Sequence, residues 1–321
     1  MKHIFIINPA AGQVGAADEL RRTLLELGTT YDWEIYDTVS PGDATEYVKK
    51  TCQNNPENED RFYACGGDGT LNEVVNGAVG FPNAQVGCYP CGSGNDFVKV
   101  FGGAEKFRNV QALMEGEASR IDLIQVGERY SVNVTNFGFD TCVARTMIQV
   151  RRRRILGGKR AYTTGIVKAI FTARKNRCTV EADGEVLNPK GKMLLCTIAN
   201  GQYVGGSFFC APRASTSDGL LEVCLVKPVN LFKMLFSLFD KYKKGKHLDD
   251  PRFKKCMVYR QAKSVHITAP EGFAYSLDGE IIEENDFYAR IAPGALLFVL
   301  PKEAVSPEET PSAEKIAAFA E

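Results

Sequence analysis

The sequence predicts an α/β N-terminal domain, a parallel sheet with helices on both faces, followed by a β-rich antiparallel sandwich. Three observations predict it. Over roughly the first 125 residues, strand-like apolar runs alternate with helical periodicity, the pattern of a parallel α/β layer. The unusual residues fall in glycine-rich turns at the ends of those strands, where open α/β sheets bind ligands. After Ile121 strand-like runs follow one another with few helical interruptions, as in a sandwich or barrel.

Taken in order, Ile4–Ile7 reads as a buried strand, ended by Asn8-Pro9-Ala10-Ala11-Gly12. Ala16–Leu27 has helical spacing at Leu20, Leu24 and Leu27 and stops at Gly28. Trp33–Val39 is a second strand, and Asp43–Lys50 a short helix after a Ser-Pro-Gly turn. Arg61–Cys65 feeds Gly66-Gly67-Asp68-Gly69-Thr70, which opens a helix with Leu71, Val74 and Val75 on one face. Gln85–Tyr89 feeds the turn Gly92-Ser93-Gly94-Asn95-Asp96. The later strand-like runs are Tyr130–Asn136, Cys178–Ala182, Met193–Ile198, Leu220–Val226, Ser264–Thr268, Phe287–Ile291 and Leu296–Leu300. Helical insertions are predicted at Tyr162–Arg174 and Asn230–Tyr242. The division is 1–125, 126–301, and a Glu-, Pro- and Ser-rich tail over 302–321 that is free to pack back on the first domain.

Composition bounds the function. The 321 residues are 44% hydrophobic and 24% charged, values of an ordinary globular protein able to bury a core. With a net charge of +0, no global field draws nucleic acid, so any anionic partner must be met locally. The N-terminal apolar run is too short for a signal peptide, and no stretch approaches the ~20 apolar residues of a membrane span. A cytoplasmic protein is the expectation. Its ten cysteines, Cys65, Cys88, Cys196, Cys210 and Cys224 among them, sit mostly in apolar strands and read as reduced core residues. Cys88 and Cys91 have C-x-x-C spacing without a second ligand pair. The three histidines, His3, His247 and His266, lack metal-ligand spacing.

A glycine turn between strand and helix converges backbone N–H groups on an anion. Asp68 at its centre makes sense if phosphate arrives with a divalent cation, because Mg²⁺ takes one or two carboxylates plus phosphate oxygens. That points to a nucleoside triphosphate. The blander reading is a tight turn with Asp68 capping the helix. It weakens because the Asn8–Gly12 and Gly92–Asn95 turns repeat the chemistry on other strands. Asp278-Gly279-Glu280 and Ser215-Thr216-Ser217-Asp218-Gly219-Leu220 carry further Asp-Gly pairs, each readable as a plain hairpin turn. Asp122 opens an apolar strand, where an unpartnered carboxylate would be costly.

The string GGDGTLNEVVNG, with NPAAG before it and GSGNDF after it, resembles the catalytic domain of diacylglycerol kinases. More closely it resembles the soluble bacterial lipid kinases related to sphingosine and ceramide kinases. IDLIQV, APRASTSDGLLEV and SLDGE follow in that family's order, so the resemblance spans about residues 3 to 300. GGDG alone is shared with NAD kinases and phosphofructokinases. The resemblance implies ATP lining by Asn8, Pro9, Ala10, Ala11, Gly12, Thr38, Gly66, Gly67, Asp68, Gly69, Thr70, Leu71, Asn72, Ser93 and Asn95. It implies Glu280 as proton acceptor, with Asp278 completing the network or exchanging roles with it. Asp68, Asp96 and Asp122 then hold the catalytic Mg²⁺, and Asp218 with the carbonyls of Ser215 and Leu220 holds a structural Mg²⁺. Gln13 stands where the family often has a basic residue, so a phosphate-neutralising cation must come from elsewhere, with Arg21 and Arg22 as candidates.

A lipid acceptor requires a peripheral membrane contact. Arg151–Arg154 with Lys159 and Arg160, and Lys241–His247 behind the apolar Leu231–Phe239, have the composition of an interfacial contact. Each also reads as a solvated helix face. The expectation is an ATP-dependent lipid kinase acting on diacylglycerol or a related glycero- or sphingoid lipid, with a homodimer left open. The alternatives are an NAD kinase-like phosphotransferase and a non-catalytic lipid or nucleotide sensor. A dehydrogenase is disfavoured because Gly66–Gly69 lacks G-x-G-x-x-G spacing.

Overall fold

The computed structural model describes residues 1–11, 15–139, 141, 177–229, 238–302, 304 and 306. The helical prediction at Tyr162–Arg174, the Arg151–Arg160 cluster, Gly12, Gln13 and nearly all of Leu231–Phe239 lie outside the described residues.

The first part alternates β1 (Lys2–Ile7), α1 (Ala16–Leu27), β2 (Trp33–Asp37), α2 (Asp43–Asn54), β3 (Asp60–Gly66), α3 (Asp68–Ala78) and β4 (Gln85–Pro90). Two short 3₁₀ turns and α4 (Val110–Met114) lead into β5 (Glu117–Val126). The four leading strands are parallel in the order β2-β1-β3-β4. β3 is buried along its whole length, as expected for a strand covered on both faces. Because β1 lies between β2 and β3, the chain winds outward in both directions from β1 and β3. Their carboxyl ends flank the topological switch point, the usual ligand crevice of such sheets.

Two boundaries differ from the sequence expectation for visible reasons. Helix α2 continues past Lys50 to Asn54, because Cys52 carries its buried face, with Ala44 and Val48, one turn further. β2 ends before Val39, whose N–H is captured at 2.8 Å by Asp43 Oδ2.

The second part contains β6 (Arg129–Ser131), β7 (Val134–Gly138), β8 (Thr179–Ala182), β9 (Glu185–Val186), β10 (Leu195–Ala199), β11 (Tyr203–Val204), β12 (Phe208–Phe209) and β13 (Leu221–Val226). After α5 (Phe239–Lys243) come β14 (Met257–Ala262), β15 (Ser264–Thr268), β16 (Ala274–Leu277), β17 (Glu280–Glu283) and β18 (Asp286–Leu300). The predicted run Tyr130–Asn136 is thus two strands, split where Val132 and Asn133 turn their N–H groups to Asp278. Conversely, Phe287–Ile291 and Leu296–Leu300 are one strand, with a register shift between Ala292 and Leu296.

An antiparallel sheet ordered β14-β13-β10-β7-β16-β17 faces the outer half of the large sheet. Val265, Ile267, Phe287 and Ala289 from one side pack against Phe137, Ile198, Val223 and Leu277 from the other. This is the sandwich. β18 ties the halves together: its first part pairs with β15, and Leu297 and Phe298 pair in parallel with β4. Leu296, Phe298, Val299 and Leu300 accordingly belong to the core of the α/β layer.

Candidate active site

The turns after β1, β3 and β4 converge through short contacts. Asn8 Nδ2 donates to Thr70 Oγ1 at 3.1 Å, and the Asn8 N–H donates to the Cys65 carbonyl at 3.1 Å. The Cys91 and Gly92 N–H groups donate to the Gly66 carbonyl at 2.8 and 3.1 Å. A Cβ on Gly92 would lie 2.5 Å from Gly67 Cα, so glycine there serves the contact between turns. Around Gly69, by contrast, nothing lies within 4 Å of an added Cβ. The open surface is therefore the first turn of α3, where unpaired N–H groups and the helix dipole favour an anion.

Asp68 begins that helix. Its Oδ1 accepts the Asp96 N–H at 2.7 Å, and a Cβ on Gly94 would stand 2.7 Å from its Oδ2. Burial, then the neighbouring Asp96 charge, pushes the Asp68 carboxyl up to about 6. A buried carboxylate with a glycine-cleared oxygen has the hard donor chemistry that Mg²⁺ takes. The residues present fit that ion. Asp96 is differently engaged: Oδ1 pairs with Lys99 Nζ at 2.5 Å, and both oxygens accept the Gly206 N–H at 3.0 Å.

The structure joins Asp122 to the Ser215–Leu220 loop. Its Oδ2 accepts the Gly219 N–H and its Oδ1 the Gly294 N–H, both at 2.7 Å, and its own N–H donates to Thr216 O at 2.7 Å. Asp218 accepts the Leu220 N–H at 3.0 Å; burial raises its carboxyl, and the Asp122 charge adds to that. Two carboxylates with nearby carbonyls are a hard-oxygen set suited to Mg²⁺. Among the described residues, no group of three or more His, Cys, Asp or Glu side chains could hold a metal by itself.

Across the domain boundary, the β16–β17 hairpin reaches α3. Asp278 and Gly279 have φ of 47° and 98°, the two positive values of a type I′ turn, which Asp-Gly adopts readily. Asp278 Oδ1 accepts from Ser131 Oγ at 2.6 Å, the Asn133 N–H at 3.2 Å and the Val134 N–H at 2.9 Å. Its Oδ2 accepts from Asn72 Nδ2 at 2.9 Å and the Val132 N–H at 2.8 Å. Burial raises this carboxyl, against the pull of Ser131 and the other donors. With five donors on it, Asp278 is built to hold position. Glu280, paired with Leu277 beside the turn, is exposed.

The other sequence-predicted residues divide. Thr38 is buried at the end of β2, its N–H bonded to Ile7 O at 2.9 Å. Ala10 and Ala11 close on Asn8 through N–H bonds of 3.0 Å, beside exposed Pro9. Ser93 is exposed, and Asn95 donates to Gly92 O at 2.8 Å. Leu71 points into the core and its N–H is used within the helix, while Asn72 is turned to Asp278 and Tyr130 O. Arg21 is paired with Asp37, and Arg22 is exposed on α1. Sequence reasoning passed over Lys99 and Gly206. GSGNDFVK contains the lysine, but only the fold brings Gly206 to it.

Comparison with known proteins finds relatives along most of the chain. Residues 2–126 match the diacylglycerol kinase catalytic domain, and residues 133–300 match the YegS C-terminal NAD kinase beta sandwich-like domain. A protein of Enterobacter sp. (strain 638), named "Probable lipid kinase YegS-like", is 28% identical over 291 residues, covering 89% of this chain and 90% of that one. A "Diacylglycerol kinase" of Bacillus subtilis (strain 168) is 27% identical over 309 residues, covering 93% and 96%. The crystal structure of a diacylglycerol kinase from Bacillus anthracis (strain Sterne) superposes with a TM-score of 0.70 over 95% of this chain and 98% of that one. At 20% identity this last likeness is one of fold.

Proposed function

The chain belongs to the family that joins a diacylglycerol kinase catalytic domain to a YegS-type β-sandwich, and from that premise we propose an ATP-dependent lipid kinase. The acceptor is a hydroxyl of diacylglycerol or of a related glycero- or sphingoid lipid. The observation that carries the reading is the bond from Asn72 to Asp278, which sets the Glu280 hairpin against the helix that Asp68 begins.

Phosphoryl transfer asks little covalent work of a protein; it asks for position, charge neutralisation and a proton acceptor. In this reading the first-turn N–H groups of α3 and the Asn8–Ala11 turn bind the phosphates of ATP. Asp68 holds the magnesium ion, which when bound neutralises charge on the phosphate oxygens. Glu280 takes the proton of the attacking hydroxyl as its oxygen bonds to the γ-phosphorus and the bond to ADP breaks. Asp278 fixes the hairpin on which Glu280 stands. Asp218, Asp122 and the Ser215 and Leu220 carbonyls hold a second, structural ion.

An apolar acceptor has to be met at a bilayer. No helix among the described residues is long and apolar enough to cross one. Lys243 at the end of α5 and Lys246 just beyond it are exposed and supply positive charge for a peripheral contact. Lys244 is paired with Asp240 at 2.9 Å, and burial lowers His247 to about 4, so that histidine adds no charge at neutral pH.

The test is incubation with γ-labelled ATP, Mg²⁺ and either a lipid extract or NAD, with mass spectrometry of the product. A labelled phospholipid is the expected outcome. Label in NADP alone, or in neither, would overturn the assignment.

A further inference from the structure

The acidic turn already contains a cation. Lys99 Nζ lies 2.5 Å from Asp96 Oδ1 and donates to the Gly206 carbonyl at 2.8 Å, while the Gly206 N–H donates back to both Asp96 oxygens at 3.0 Å. Gly206 sits in the turn between β11 and β12, in the second half of the chain. That hairpin is stiffened by Tyr203 stacking on Phe209, with ring centroids 4.5 Å apart and planes 6° from parallel. Lys99 Nζ stands 5.9 Å from the Tyr203 ring centroid, close enough for a cation–π contact. One ion pair therefore fastens a hairpin of the sandwich half to a turn of the α/β half. Its acid is the residue whose backbone N–H serves Asp68 at 2.7 Å.

An ammonium and a divalent cation compete for the same carboxylate oxygens. Asp96 cannot ligate a second cation without giving up part of what holds Lys99 and Gly206. Charge-assisted hydrogen bonds are the strong ones, so their loss is felt by the element they fasten. We propose that Lys99 is the resident counter-ion of the Asp68–Asp96 pair and the positioning residue for the β11–β12 hairpin. A divalent cation entering this site displaces Lys99 from Asp96 and frees the hairpin. The inference rests on the reading of Asp68 as the magnesium-holding carboxylate, with Asp96 hydrogen-bonded beside it.

Amide hydrogen exchange on the full chain, with no lipid present, tests it. The segment 203–209 is followed without cation, with Mg²⁺ alone, and with Mg²⁺ plus a non-hydrolysable ATP analogue. The wild type, Lys99→Met and Lys99→Arg are compared, with β10 as the internal reference for an intact fold. In the wild type, Mg²⁺ with the analogue should speed exchange in 203–209 by about tenfold or more, the scale of one lost charge-assisted bond. Lys99→Met should exchange fast from the start and ignore the cation; Lys99→Arg should restore the cation response. Protection in cation-free Lys99→Met equal to that of the wild type overturns the inference. So does a wild-type hairpin indifferent to a bound Mg²⁺–analogue complex. Calorimetry on the same samples separates the two readings: absence of any analogue binding counts against the kinase assignment, while the cation-free comparison still decides the role of Lys99. If Lys99→Met disturbs β10, the Lys99→Arg response decides.

Discussion

Asn72 and Asp278, 206 residues apart in sequence, meet across the boundary between the two halves at 2.9 Å. Asn72 lies one helical turn after Asp68 on α3, and Asp278 lies two residues before Glu280. This side-chain bond ties the helix that Asp68 begins to the hairpin that carries the proposed proton acceptor.

Replacing Asp278 by Ala leaves Ser131, Asn72 and three backbone N–H groups without their acceptor. Each unsatisfied buried donor costs about 1 kcal/mol or more, so the variant should lose ~3 kcal/mol or more of stability. Asn72→Ala removes only one of the five donors to that carboxylate and should lose about 1 kcal/mol. Urea unfolding midpoints measure both, and equal small losses would show that Asp278 is not the organising group.

Glu280→Gln keeps the shape of an exposed side chain and removes its basicity. Stability should stay within about 0.5 kcal/mol, while transfer falls by roughly 10²- to 10⁴-fold. The check is a labelled-ATP assay beside a thermal melt.

Asp68 gives a pH dependence of definite sign. Its carboxyl is raised from 3.8 to about 6, so between those values the folded chain holds a proton that the unfolded chain has released. Stability therefore falls as pH rises through that window and stays lower above it. Asp68→Asn should gain on the order of 3 kcal/mol at neutral pH, with the gain vanishing below about pH 4. Unfolding curves at several pH values measure it. A loss of stability at neutral pH would contradict the burial account.

Gly92→Ala places a methyl group against Gly67 Cα, which is backbone and cannot turn aside. The two turns must part, at a cost of about 1–3 kcal/mol, and nucleotide affinity should fall with them. Gly69→Ala, with open space around it, should be tolerated far better by the fold. Calorimetric titration with an ATP analogue and a thermal melt of each variant distinguish the two positions.

The α/β order was legible because each element carries its own local signal. Ala16–Leu27 has its stop at Gly28, and the parallel strands read as short apolar runs between turns. Local patterns could not show that Val132 and Asn133 interrupt a strand to serve Asp278, since that demand comes from a residue far along the chain. They could not show that β18 runs unbroken through Pro293 and Gly294 either, because its continuity depends on β5 alongside. At the site, the glycine turns and the Asp-Gly pairs stood out by residue type. What each carboxylate touches did not: the sequence reading groups Asp122 with Asp68 and Asp96 around one magnesium ion, and only tertiary neighbours join Asp122 to the Ser215–Leu220 loop. Lys99 was invisible for the same reason, its partner lying in a distant hairpin.

The most direct measurement is a double-mutant cycle on lipid phosphorylation, with Asp68→Asn, Glu280→Gln and the two combined. If both carboxylates serve one reacting centre, each single variant loses at least about 100-fold. The double variant is then little slower than the slower single one, because groups acting as a unit are strongly non-additive. Transfer at the wild-type rate by Glu280→Gln, or fully additive losses in the double variant, would contradict a shared site.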